Sequence, residues 1–418
     1  MTVDIYHTVC GWLRELIAGT SWEGHVFAVG GCCRDEVMNR PINDIDLAVD
    51  IENGGLQFAD WLEERNLTVA PPVRFERYGT AMLHLRAFPD HEIEVVQTRC
   101  GKYTDENAEN PGSVFGTIAD DVMRRDFTVN SLFYDISRDK LLDLTGRGLA
   151  DIQAHCLRTP MDPEMTFFDD PVRILRCIRM ATVWGWSIDD DTMQAMRANV
   201  PSLREIKPER RRAEFEKMLK GPDPVRALEL LRTTGAMRYV FPEMENCYRV
   251  KVNGENITLW QRALRAVAAT ETDNDYILRL AALLHVLGWL RTVKNPGPNA
   301  GTDRALLAAR SAESALRRIK YHGQFVREIT FLIRNQSATL RWGHEAENAK
   351  DRMIRRLCNL CVTDQRLERL LSLIHAINVS TPHPMHRPQQ IPRVRERLGL
   401  MGRRFTPDDF GVPIAREA

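Results

Sequence analysis

Two aspartates two residues apart, Asp44 and Asp46, lie shortly after a Gly30-Gly31-Cys32-Cys33-Arg34-Asp35 turn. Glycines that follow a strand let backbone N–H groups approach a phosphate with no Cβ in the way. Arg34 adds a cation beside that turn. A strand over Ile45–Val49 would point Asp44 and Asp46 to one face, where two carboxylates repel unless a cation sits between them. A hard divalent ion such as Mg²⁺ relieves that repulsion and clamps a triphosphate as well. Alone, either half is an ordinary turn or a surface pair; together they point to a metal–nucleotide site. Glu94, on a later strand over Ile93–Gln97, is a candidate third carboxylate, or an exposed strand glutamate.

Two further blocks carry polar groups in patterns that bind nucleotides. Arg124-Arg125-Asp126-Phe127-Thr128-Val129-Asn130 stands just before an apolar segment. Arginine engages phosphate, while aspartate and asparagine hydrogen-bond ribose hydroxyls. Asp169-Asp170-Pro171-Val172-Arg173 opens a helix over 171–186, with Pro171 in its first turn. Helical spacing puts Ile174, Leu175, Ile178 and Ala181 on one face, with Asp170, Arg173, Arg176 and Arg179 on an adjoining polar stripe. Asp170 and Arg173, at i,i+3, offer an acceptor and a planar donor fork that can read a base edge. Arg176 and Arg179 are candidates for phosphates. In isolation, a capped turn and an i,i+3 salt bridge on a solvated face are the better explanation of these blocks.

In this order and spacing the blocks resemble the class II tRNA nucleotidyltransferase and poly(A) polymerase family, and most of all its CCA-adding members. Further stretches resemble the family too: Glu94 to Arg99, Lys102-Tyr103-Thr104-Asp105, Gly116-Thr117, Asp143-Leu144, Gly148 to Ile152, Arg158-Thr159-Pro160 and Glu214 to Lys217. One departure is Asp169, where many members have glutamate. The resemblance implies a base template made of protein. Asp170 and Arg173 would pair with incoming CTP or ATP, and Arg176 and Arg179 would help hold the nucleotide. Arg125, Asp126 and Asn130 would contact sugar and phosphate, and Gly31 and Arg34 the triphosphate. Asp44 and Asp46 would hold two Mg²⁺ ions with Glu94 in support, while a tRNA 3′-OH attacks the α-phosphorus and pyrophosphate leaves. The same motifs serve a poly(A) polymerase or an enzyme adding only CC or only A. An inactive RNA-binding relative would keep the fold without the chemistry.

These residues need a scaffold. A short amphipathic helix is expected at the start, from Ile5, Val9, Trp12, Leu13, Leu16 and Ile17. Strands are expected over 26–29, 45–49, 80–86, 93–97 and 131–135. Helices follow over 171–186, 208–220, 224–236, 276–291, 305–320, 324–335 and 351–377, and the tail after Thr381 is expected to lack a core of its own. The reading is an α/β nucleotidyltransferase head, a polymerase-beta-like mixed sheet with helices, followed by an all-α neck, body and tail. The expected divisions are a head over 1–150, a neck with the templating helix over 151–221, a body over 222–300 and a tRNA-binding tail over 301–418. The body's Ile277 to Val286 resembles the metal helix of the HD phosphohydrolases, in which the histidine is followed by aspartate. Here Val286 follows His285, so His285 is expected to be a packed histidine and the body to lack hydrolase chemistry.

The chain has 418 residues, 44% hydrophobic and 27% charged, enough for two to four packed domains. Net charge is +0, but the balance is uneven. Residues 310–418 carry 20 Lys+Arg against 11 Asp+Glu, a surplus of nine positive charges that the rest of the chain offsets. Such polarity suits a polyanion at one end and carboxylates at the other. Nine scattered cysteines read as reduced thiols in a cytoplasmic setting. Cys358-x-x-Cys361 has no second pair, so no zinc site is expected there. No apolar run reaches membrane-spanning length, and Met1 to Ile17 lacks the pattern of a secretory signal.

Overall fold

Apolar, β-branched-rich runs make the strands of the head. Val26–Val29 (β1) is buried at every position, and Ile45–Val49 (β2) is buried except at Asp46. The computed structural model describes residues 5–42, 44–100, 114–251, 256–270, 275–292, 300–338, 351–380 and 390–400. The Lys102-Tyr103-Thr104-Asp105 stretch and most of the region after Thr381 lie outside them. Val73–Phe75 (β3), Thr80–Leu85 (β4), Phe88–Gln97 (β5), Phe133–Asp135 (β6) and Lys140–Leu142 (β7) complete one sheet in the order β3-β4-β5-β2-β1-β6-β7. The β2–β5 pair is parallel and all the others antiparallel, so the sheet is mixed.

Register decides what meets at the site. Asp46 stands opposite Val29 on one side and Glu94 on the other. Alternation along the strands then puts Asp46 and Glu94 on the face that also carries Ala48, Val29 and Val96. That face packs beneath a helix, Ile118–Arg124, through Val122 and Ile118. The helix begins at Thr117 with a reciprocal cap: Asp120 N–H donates to the Thr117 hydroxyl, and the Thr117 N–H donates to the Asp120 carboxylate. It ends at Arg124, which delivers Arg125 over the acidic end of the sheet.

The opening helix, Ile5–Ile17, buries Tyr6, Val9, Cys10, Leu13 and Ile17, so Tyr6 and Cys10 join the expected face. Two helices meet at the third motif, Pro163–Asp169 and Val172–Trp184. The helix expected over 171–186 is the second of these, and the first was not expected: Asp169 ends it, and Asp170, in extended backbone, joins the two. The expected pairing of Asp44 with Asp46 on one strand is corrected as well. β2 begins at Ile45, leaving Asp44 exposed just before it.

The described chain divides into two compact units, 1–202 and 203–418. The second is helical. Buried Arg279, on the Tyr276–Leu284 helix, donates to the carbonyls of Leu219 (2.6 Å) and Gly221 (3.0 Å) at the end of the Pro208–Lys220 helix. It satisfies acceptors that a helix C-terminus leaves open. The helix expected over 351–377 breaks into Asp351–Cys361 and Asp364–Ser380, with Val362 in the left-handed region at φ 67°. The tail has more core than expected: Gln390–Leu400 is a helix that buries Ile391 and Val394. His285 is buried, its Nδ1 2.6 Å from the Ala282 carbonyl oxygen, and Val286 is buried beside it.

Candidate active site

The turn after β1 brings backbone close to the acidic end of the sheet. Gly30 has φ 74° and ψ −123°, a conformation that only glycine adopts without strain. A Cβ on it would stand 3.0 Å from Arg125 Nη1 and 3.8 Å from Asp46 Oδ2. Gly31 begins the short helix Gly31–Val37, whose inner side is tied to β1 by Cys33 Sγ donating to Ala28 O (3.1 Å) and Cys32 Sγ to Val29 O (3.2 Å). Gly30→Ala is expected to destabilise the chain by about 1–3 kcal/mol and to displace Arg125. Urea unfolding measures the first effect, and an unchanged midpoint would remove the packing argument.

Asp46 is the electrostatic centre. Its carboxyl is pushed up to about 6, by burial first, then by the charges of Glu94 and Asp44, against the pull of Arg125. Two carboxylates thus press on Asp46, and a cation beside it would offset their repulsion. Among the described residues no group of three or more His, Cys, Asp or Glu side chains is gathered for a metal ion. The pair Asp44 and Asp46, with Glu94 alongside, instead suits Mg²⁺, which keeps waters and substrate phosphates in its shell and needs only one or two carboxylates. The raised carboxyl of Asp46 is the strain that such an ion would relieve.

Arg125 is aimed by Asp121, which accepts from its Nη2 (2.9 Å) and Nε (3.1 Å), and its guanidinium lies 4.8 Å from the Phe133 ring centroid. Arg34 is gripped from two sides. Asp35 accepts two bonds from it (2.9 and 2.7 Å), and Asn130 Oδ1 accepts a third. Its guanidinium lies 4.5 Å over the Trp184 ring. Asn130 also donates to Asp126 Oδ1 (2.8 Å), and Asp126 Oδ2 accepts from Arg176 Nε (2.8 Å). A continuous polar chain therefore runs Arg34–Asn130–Asp126–Arg176. Burial by itself would raise the Asp126 carboxyl; Arg176, with Asn130 and Arg173, more than reverses this and holds it below the usual range. In this structure Asp126 and Asn130 spend their polar atoms on that chain.

Arg173 is buried and donates to Thr166 O (3.3 Å) and Arg124 O (2.5 Å). It ties the helix that carries it to the segment bearing Arg125. Asp170 Oδ1 accepts from Val172 N–H (3.2 Å), capping the same helix. Arg179 is half-buried farther along it. Asp121, Asp35 and Trp184 escaped the sequence reading. Asp121 carries an i,i+4 signal toward Arg125, and Asp35 is inside the turn motif, but nothing local marks Trp184.

A mixed sheet whose glycine turn faces clustered acids, with arginines converging from the following helices, defines a polymerase-beta-like nucleotidyltransferase head. Residues 26–158 match the model of the Poly A polymerase head domain, and 185–248 the "Probable RNA and SrmB- binding site of polymerase A". The head and the segment that follows it are thus similar to the tRNA nucleotidyltransferase and poly(A) polymerase family. It is 33% identical over 251 residues to the tRNA nucleotidyltransferase cca1 of Schizosaccharomyces pombe, covering 56% of this chain and 49% of that protein. It is 28% identical over 317 residues to the CCA-adding enzyme of Lactiplantibacillus plantarum, covering 76% of this chain and 72% of that one. The chain spans about half the length of the fungal relatives it matches. A Thermotoga maritima CCA-adding enzyme complexed with tRNA shares the fold with TM-score 0.62 and 17% identity, over 95% of this chain and 82% of that one.

Proposed function

We propose that this chain is a template-independent nucleotidyltransferase that adds CCA to tRNA 3′ ends from CTP and ATP. One observation carries the reading: Asp46, Asp44, Glu94 and Arg125 act on one point beside the Gly30 turn, and a polar chain links that point to the helix bearing Arg173. Asp44 and Asp46 would hold Mg²⁺, with Glu94 in support; when bound, the ions stabilise charge on the attacking and leaving oxygens. Arg34 and the Gly30-Gly31 turn would neutralise and orient the triphosphate. Asp170 and Arg173 would present an acceptor and a donor fork to the base. Arg176 and Arg179 would hold the nucleotide, and Arg125, Asp126 and Asn130 would line its sugar side. The tRNA 3′-OH would attack the α-phosphorus in line and expel pyrophosphate, with no covalent enzyme intermediate.

The basic residues 310–418 would hold tRNA by phosphate and shape contacts. Binding is then expected to weaken steeply with salt, and a titration from 50 to 200 mM salt checks it. The nine free cysteines suit a reducing compartment such as the cytoplasm. No described helix is long and apolar enough to cross a membrane.

Poly(A) addition, and addition of only CC or only A, use the same residues. A tRNA lacking its 3′ CCA is incubated with CTP, ATP or both, and the products are sequenced. One CCA per tRNA, requiring both nucleotides, is the expected result. Long A tails formed regardless of CTP would overturn the CCA assignment.

A further inference from the structure

Within the second unit, the helices Ala300–Arg318 and Gly323–Asn335 flank a cavity of about 460 Å³. That volume falls in the range of small-molecule sites, about 300–1,000 Å³. Leu306, Ala309 and Phe331 line it with apolar surface, and Arg310, Arg327 and Arg334 with guanidinium groups. The last two are seven residues apart and so project from one face of the helix, with Thr330 and Phe331 between them. None of these three guanidiniums has a hydrogen-bond or ion-pair partner among the described residues. The one carboxylate in the lining, Glu313, already accepts from Arg317 (2.9 Å). A fourth arginine, Arg366, also lines the cavity, with two bonds to Glu328 (2.9 and 2.7 Å), and lies 4.8 Å over Phe331.

Three unspent cations around one hollow repel one another, and an anion removes that cost. A planar guanidinium fixed over an aromatic ring is the kind of surface on which a base stacks. Duplex RNA is read differently, by contacts that run across successive minor grooves, which a hollow of this size does not provide. We propose that this cavity binds a single phosphorylated nucleotide, its phosphates on Arg310, Arg327 and Arg334 and its base against Phe331 and Arg366. The ligand would come either as a free nucleotide or as one unit of a single strand. Stacking accepts any base, so this site would not share the head's choice of C and A.

The test uses the full chain without Mg²⁺, which leaves Asp44 and Asp46 to repel a triphosphate from the head. Equilibrium dialysis measures GTP, and fluorescence anisotropy a short oligouridylate, each against the Arg310→Ala/Arg327→Ala/Arg334→Ala variant. The three positions are exposed, and a triple-lysine variant that keeps the charge, with melting curves for all proteins, controls for folding. The triple-alanine change is expected to weaken binding about 30- to 100-fold and to reduce the log–log salt slope by about two to three. Phe331→Leu should weaken it about 5-fold or more. Loss of GTP binding identifies a free nucleotide as the source, and loss confined to oligouridylate identifies a strand. If the triple-alanine chain binds both probes as its parent does, the proposal falls.

Discussion

Replacing Asp44 and Asp46 together with alanine is expected to lower CMP and AMP incorporation by at least about 10⁴-fold, while tRNA affinity changes by less than about threefold. Each tenfold is about 1.4 kcal/mol of transition-state stabilisation, and charge neutralisation at a phosphoryl centre is worth several such steps. The tRNA contacts proposed for the basic region do not involve these acids. Single-turnover incorporation and filter binding measure the two quantities. Incorporation within tenfold of the parent would remove the metal assignment.

The same acids make a second, opposite prediction for stability. The Asp46 carboxyl sits near 6 in the folded chain against an ordinary 3.8. The folded state therefore binds more protons than the unfolded state between about pH 4 and pH 6. Asp46 costs least at acid pH, and its cost grows as pH rises, levelling off above its folded value. By pH 7.5 the ionised group costs about 1–3 kcal/mol in the absence of a cation. Asp46→Asn should stabilise the metal-free protein by that amount at pH 7.5 and much less at pH 4.5, while incorporation is lost. Urea midpoints of the two proteins at both pH values isolate this residue from other titrating groups. A variant less stable than its parent at pH 7.5 would contradict the electrostatic account of the site.

The other large effect is expected at Arg173. Arg173→Lys keeps the charge and loses the fork, so CTP and ATP incorporation should fall about 100-fold or more, and their preference over UTP and GTP should collapse. Arg173→Ala adds a structural cost of about 2–3 kcal/mol, because the carbonyls of Thr166 and Arg124 lose a charged donor. Comparing kcat/KM for the four nucleotides on a tRNA lacking CCA separates selection from folding. A lysine variant with parental ratios would show that the base is read elsewhere. Arg173 is suited to the role because the two carbonyls take one N–H from each terminal nitrogen and fix the plane.

Much of the head is legible in the amino-acid sequence. Val26–Val29 and Ile45–Val49 form strands with the expected bounds, because short apolar runs beside glycine or polar turns have few other ways to be buried. Val73–Phe75 and Lys140–Leu142 are not legible in this way, since three-residue edge strands carry too little alternation to register. The break at Asp169–Asp170 is hidden because both helices there obey the same local rules. The break at Val362 is hidden because valine rarely adopts the left-handed backbone found there.

The chemical inventory of the site is local. The glycine turn, the acids and the arginine stripe are each encoded within a few neighbouring residues, and only taken together do they point to nucleotides and a hard cation. Their mutual arrangement is not local. Asn130 meets Arg34 across 96 residues, and Asp126 meets Arg176 across 50. Glu94 stands beside Asp46 only because β5 pairs with β2 in parallel at one particular register. Local periodicity shows which face of an element is buried, but pairing and register set which faces meet. The polar chain, the stacking of Arg34 on Trp184 and the raised Asp46 carboxyl therefore exist only once the sheet has closed around them.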